Sequence, residues 1–189
     1  MSLLTTKMAN LVRTAKSGIR WSIGELYAYN IVVKWQDAAT FFGVNPLPQP
    51  AVAHELLNKV SANDMVEDAN HKLLRYAVLA GRPAPGENSA VVDFAAHLLT
   101  LLGYAPRNRM VRKRANIPLS ICGQNHFAKT DVCIVDDDSF LLLIQEDKQH
   151  KKPKDPLPQL MAGAIAAFQR NNDGRNILNQ DLIVHEVIP

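Results

Sequence analysis

The spacing of apolar and polar residues changes period several times along this chain, and each change marks a predicted element. From Asp64 through Leu79, Met65, Ala69, Leu73, Tyr76 and Ala80 recur at helical spacing, ended by Gly81-Arg82-Pro83-Ala84-Pro85-Gly86. Ser89 to Leu102 predicts a second helix whose apolar side carries Val91, Phe94, Ala95, Leu98, Leu101 and Leu102. Asp93 and His97 sit together on it at i, i+4, and Gly103 is a natural stop. The period then shortens to that of strands. Ile117 to Gly123 is one, with Pro118 demanding an edge or bulge position. Thr130 to Val135 and Phe140 to Lys148 flank the turn formers Asp136-Asp137-Asp138-Ser139 and predict a β-hairpin. A last helix opens at Asp155-Pro156 and runs to Gln169, its small residues Ala162, Gly163, Ala166 and Ala167 allowing close packing on a sheet. Asp181 to Ile188 predicts one more strand. The element order is therefore αβββαβ.

The N-terminal quarter has a different character. Lys7, Arg13, Lys16 and Arg20 precede the first acidic residue, Glu25, while Leu4, Met8, Leu11 and Ala15 fall at helical spacing. This pattern fits a basic amphipathic surface helix and also an organellar, for instance mitochondrial, presequence. Tyr29 to Trp35 reads as a strand or as the continuation of a helix from Ile23. The three alternating prolines of Asn45-Pro46-Leu47-Pro48-Gln49-Pro50 specify an extended linker. Residues 1–50 are thus expected to be a basic arm and proline-rich linker, and residues 51–189 the main domain.

The hairpin brings chemistry together. With the turn centred on Asp138-Ser139, Asp137 faces Phe140, and counting outward seven positions from each turn residue sets Asp131 opposite Glu146. Directly paired side chains lie within contact range. Alternation puts Glu146 and Lys148 on one side of their strand, with Asp147 pointing away. Two carboxylates can hold a Mg²⁺ ion that retains several waters and binds a phosphate oxygen, and a nearby ammonium can orient the attacking water. In an average strand Glu-x-Lys is a solvated face with a weak ion pair. Here the charges end a strongly apolar run, where polar groups are costly unless exposed or satisfied.

Composition sets the frame for that chemistry. At 189 residues, 47% hydrophobic and 21% charged, the chain has the length and balance of a globular domain with a sizeable core. Net charge is only +3, so a nucleic-acid surface must be local. Arg107 to Arg114 supplies five positive charges in eight residues, and Lys148, Lys151, Lys152 and Lys154 follow the hairpin. Arg112, Lys113, Arg114, Lys151 and Lys152 are the candidate phosphate contacts. Cys122 and Cys133 both fall in predicted strands, as buried reduced thiols of an intracellular protein would. The six histidines are scattered without the i, i+4 pair of a helical zinc site. No apolar run approaches the ~20 residues needed to cross a bilayer, and there is neither a Gly-rich phosphate loop nor a Gly-x-Ser-x-Gly elbow. An intracellular protein, nuclear or cytoplasmic, without a membrane partner is expected.

An Asp on one strand and Glu-x-Lys on the next resembles the PD-(D/E)XK nuclease superfamily, with Thr130 standing where the name-giving proline would be. Ile117-Pro118-Leu119, Lys129 to Asp136, Gln145 to Lys148, Asp155 to Leu160 and Ala164 to Asn171 are further similar to fungal-type homologues of that superfamily, over about Phe41 to Asn171. The resemblance implies an α/β fold with a restriction-endonuclease-like αβββαβ core and a helical N-terminal extension. It implies Asp131 and Glu146 as ligands of Mg²⁺, or of Mn²⁺, and Lys148 as the catalytic lysine. Gln159 matches a supporting glutamine on the following helix, and Asp93 the acidic residue of the first core helix. The implied activity is metal-dependent phosphodiester hydrolysis on DNA or RNA. The competing expectation is a catalytically inactive binding or protein-interaction module on the same fold.

Overall fold

The computed structural model describes residues 12–49, 52–82, 89–137, 139–144, 155–177 and 180–182. Among these, six α-helices and one three-stranded antiparallel sheet form a mixed α/β fold. The helices are α1 (Ile23–Ala28), α2 (Ala38–Phe42), α3 (His54–Asn58), α4 (Asp68–Gly81), α5 (Ser89–Leu101) and α6 (Leu157–Ile177). The strands are β1 (Arg109–Ile121), β2 (Gln124–Asp136) and β3 (Ser139–Ile144), in the order β1-β2-β3. Among the described residues no helix is long and apolar enough to cross a membrane.

Local chemistry accounts for the element boundaries. The expected helix from Asp64 starts later, at Asp68. Ala62–Asp64 form a 3-10 turn and Met65 is extended. The Glu55 carboxylate of α3 accepts the Val66 N–H at 2.8 Å, the Glu67 N–H at 3.2 Å and the Asn70 side-chain amide, capping the entrance to α4 from outside it. Gly103 ends α5 as expected: at φ 76 it lets the Tyr104 N–H reach the Leu99 carbonyl and its own N–H reach that of Thr100, a Schellman closure. Asp155 accepts the Leu157 N–H at 2.9 Å and opens α6, which continues past Gln169 to Ile177. The expected strand over 181–188 falls almost entirely outside the described residues.

Much of the basic run lies in a strand. Arg109 to Arg114 form the first half of the 13-residue β1, whose register with β2 runs from Arg109↔Asp136 to Ile121↔Gln124 with one step missing. Pro118 sits on this edge strand, as its missing N–H requires. Cys122 lies in the two-residue turn rather than in a strand, exposed, at φ 49 beside Gly123 at φ 72, the paired positive values of a tight hairpin. Cys133 is buried in β2 as expected.

The sheet carries helices on both faces. Val111, Val132, Ile134, Leu142 and Ile144 pack against Val92, Ala96 and Leu99 of α5. Ile117, Leu119 and Ala128 pack against Met161, Ala162, Ala166 and Ala167 of α6 on the other face, joined by Phe140 and Leu143. Two amides on α6 hold the sheet at its margins. Gln169 exchanges two 2.9 Å bonds with the backbone of Ser120 on β1. Asn171 does the same with Phe140 on β3, at 2.8 and 2.9 Å. Each side chain copies the donor and acceptor of a neighbouring strand at a place where no described strand pairs.

Residues from the N-terminal quarter contribute to this core. Trp21 is fully buried and Leu26 nearly so, both within the cluster of Ile117, Leu119, Ala128 and α6. Trp21 stacks on Tyr29 at 5.4 Å, and Tyr29 donates to the Thr14 carbonyl while contacting Cys122 Sγ at 3.1 Å. Burial, and then the Cys122 contact, push the Tyr29 phenol up to about 12. A Cβ on Gly18 would stand 3.0 Å from the Cα and Cβ of Ala128 and 3.1 Å from Ala162 Cβ, so a larger residue there would crowd β2 and α6. Tyr29 to Trp35 leaves α1 without joining the sheet.

Glu25 is the buried acid of this segment. Its carboxylate pairs with Lys16 and accepts the Ser22 N–H at 2.8 Å and the Ser22 hydroxyl at 2.7 Å, a capping box for α1. Burial raises its pKa, but the Lys16 and Ser22 bonds together outweigh burial and leave it below the usual value.

Two outcomes follow for stability. Trp21→Ala is expected to cost about 3–5 kcal/mol, and Gly18→Ala about 1–3 kcal/mol through overpacking, read from urea midpoints. Were the segment an appended arm, both would be neutral. The lowered pKa of Glu25 means that its carboxylate stabilises the fold above the unfolded value of about 4.3 and loses that contribution as pH falls through the folded value. The stability gap between wild type and Glu25→Gln, measured by denaturation at a series of pH values, should therefore be largest near neutrality and narrow in acid.

Candidate functional site

The candidate site begins where β1 and β2 stop alternating. In Arg109 to Lys113 the odd positions face α5, since Val111 packs there and Lys113 pairs with Asp93. From Ala115 to Leu119 the odd positions face α6. The phase reverses across Arg114, a non-glycine residue at φ 52. On β2 the same reversal separates Ala128, which faces α6, from Val132 and Ile134, which face α5. Arg114 and Asp131 form the one step missing from an otherwise continuous β1–β2 register. Asp131 is thus a half-buried carboxylate at the break in alternation of the central strand.

Thr130 secures that break. It is 3% exposed, and its hydroxyl lies 2.9 Å from the Val132 carbonyl and 3.0 Å from the Ile144 carbonyl, donating its one proton between them. Thr130 therefore ties the middle of β2 to the end of β3. The sequence signal was a lone hydroxyl in an apolar run next to the candidate acid.

The hairpin register differs from the expected one. The loop lies between the paired residues Asp136 and Ser139, and Val135 faces Phe140. Asp137, at φ 49, makes the turn one residue earlier than the Asp138-Ser139 centre predicted. An irregularity at Ile134/Val135 then leaves Leu141 unpaired, so that Ile134 faces Leu142, Cys133 faces Leu143 and Val132 faces Ile144. Turn and bulge offset one another in part, and the net pairing is one residue away from the count that opposed Asp131 to Glu146. A bulge adds a residue on one strand without an obvious sequence mark.

Of the other expected site residues, Glu146, Lys148, Lys151 and Lys152 lie outside the described residues. Gln159 stands in the first turn of α6, where its side-chain amide donates to the Ile19 carbonyl at 3.3 Å. It joins α6 to the N-terminal segment. Asp93 makes its ion pair with Lys113 of β1, on the α5 face of the sheet, rather than along its helix with His97. His97 instead packs on the Tyr76 ring at 5.2 Å. Among the described residues no cluster of three or more metal-ligating side chains occurs.

The basic run is divided by the sheet. Arg109 pairs with Asp136 at 3.2 Å and Lys113 with Asp93, so the α5 face carries matched charges. Arg112 is directly opposite Cys133 on the α6 face, and Arg114 is exposed at the phase reversal. Burial raises the Cys133 thiol pKa, against a smaller opposing influence of Arg112, which keeps the group neutral and unreactive.

No family model, curated protein or solved structure matches the chain.

Thr130→Val should cost about 1–3 kcal/mol despite its near-identical shape, because two buried carbonyls lose their donor. Thr130→Ser, which keeps the hydroxyl, should cost less. Thermal melts of the two variants compare them directly, and equal losses would mean that the methyl group, not the bond, matters.

Proposed function

We propose that the protein is a metal-dependent phosphodiester hydrolase of the PD-(D/E)XK type, acting on DNA or RNA. The observation that carries this reading is the placement of Asp131 on the central strand at the alternation break, within a helix, three antiparallel strands and helix order. Ile144, the last described residue of β3, is held beside it by Thr130. Glu146 follows Ile144 by two residues in the sequence. A half-buried carboxylate is a hard oxygen donor of the kind that suits Mg²⁺. Asp131 and Glu146 would hold the ion, and a bound divalent ion would supply charge stabilisation at the scissile phosphate. Lys148 would orient the attacking water and steady developing negative charge.

Two contacts favour a second reading, a catalytically silent binding module on the same fold. Asp93 and Gln159, the supporting residues of the implied site, are engaged by Lys113 and Ile19. Cleavage separates the two readings. Purified wild type is expected to degrade a mixed panel of DNA and RNA substrates only with Mg²⁺ or Mn²⁺, and Asp131→Asn and Lys148→Ala are each expected to lose on the order of 100-fold or more in rate. Binding without metal-dependent turnover would select the silent module.

A further inference from the structure

The basic run of β1 reaches two faces of the sheet, and only one of them leaves its positive charge uncompensated among the described residues. On the α5 face Arg109 and Lys113 are matched by Asp136 and Asp93. On the α6 face Arg112 joins Arg170 in the wall of a cavity of about 230 Å³, with Asn116 and Asp137 beside them. A larger cavity of about 570 Å³, between the β2–β3 turn and the C-terminal half of α6, shares Asp137 and Arg170 with it and adds Arg175. The two cavities adjoin at Asp137 and Arg170, and together they form the cleft. Asp136 lines it too, but is already paired with Arg109. Among the described residues of these walls three arginines stand against Asp137 and the already paired Asp136, and Arg175 donates to the Asp181 carbonyl at 3.0 Å.

We propose that this cleft binds the phosphodiester backbone of a nucleic acid through Arg112, Arg170 and Arg175. The proposal rests on the nucleic-acid reading given above and adds the face on which the strand lies. A guanidinium presents a planar fork of donors that matches phosphate oxygens two at a time. Arginines divided between two adjoining cavities suit linked phosphates better than one isolated anion. Asp136 follows Asp131 by five residues on β2, a separation of roughly 16 Å along a strand, so a backbone held here is within a few nucleotides of the candidate acid. Lys113, expected from the sequence to contact phosphate, is assigned instead to the Asp93 ion pair.

Fluorescence anisotropy with labelled single- and double-stranded DNA and RNA oligonucleotides, in EDTA and at several salt concentrations, tests this without cleavage. Arg112→Gln/Arg170→Gln should bind about tenfold more weakly, with the slope of log K against log salt reduced by about two units. Arg112→Lys/Arg170→Lys should recover most of the slope, and Lys72→Gln, an exposed charge on α4, should match wild type. Melting curves establish folding, and the single exposed-site variant Arg112→Gln, with a slope reduced by about one unit, serves if the double variant unfolds. Wild-type binding that the arginine variants leave unchanged, or that only Lys113→Gln weakens, would overturn the cleft while leaving a nucleic-acid partner standing. Wild type that binds no oligonucleotide, or binds polyglutamate equally well, would overturn both.

Discussion

A three-stranded sheet has little area, and burying both of its faces requires that apolar residues be presented to each. Strict alternation along β1 and β2 would commit one set of side chains to one face along the whole 13-residue length of each strand. The reversal at Arg114 and Thr130–Asp131 changes this. Below it, Val111, Val132 and Ile134 serve α5, and above it Ile117, Leu119 and Ala128 serve α6. The break carries a conformational cost, since Arg114 sits in the left-handed region. Thr130 offsets part of that cost by satisfying carbonyls on β2 and β3 at the same level. Asp131 is the residue that this geometry leaves at the junction.

The same economy explains how α6 is attached. Small side chains at Ala162, Ala166 and Ala167 bring the helix close to the sheet, where Ile117, Leu119 and Ala128 meet it. Gln169 and Asn171 then supply backbone-like pairs to Ser120 and Phe140. Both blunt positions on the outer strands that would otherwise invite pairing with another chain. Trp21 closes this face from the N-terminal side, so residues far apart in the chain share one core.

Electrostatics follow from the same arrangement. Five cations in eight residues look like one patch when written as a line. Pleating distributes them between faces, and each face has its own neighbours. Asp93 and Asp136 neutralise one side, whereas the other side meets Arg170 and Arg175 from a helix that begins more than forty residues later. Charge density in a sequence is therefore a poor guide to potential until strand phase is known.

What the sequence determined by itself is local. Helical spacing located α5 and α6, Gly103 and Asp155 marked a stop and a start, apolar runs around a cluster of aspartates located β2 and β3, and Pro118 placed β1 at an edge. Each depends on backbone preferences and periodicities that act within a few residues. The tertiary structure decided the rest. Whether Arg109 to Arg114 was loop or strand depended on pairing with Lys113↔Val132 and its neighbours, and whether Trp21 was arm or core depended on the surface offered by Ile117 and Ala128. The hairpin register turned on where the turn closed and on one bulged residue. Asp93 pairs with Lys113 of β1 rather than with His97 of its own helix, a partner that only the packing of α5 on the sheet supplies. These outcomes are set by non-local contacts, and non-local contacts leave no period in the chain.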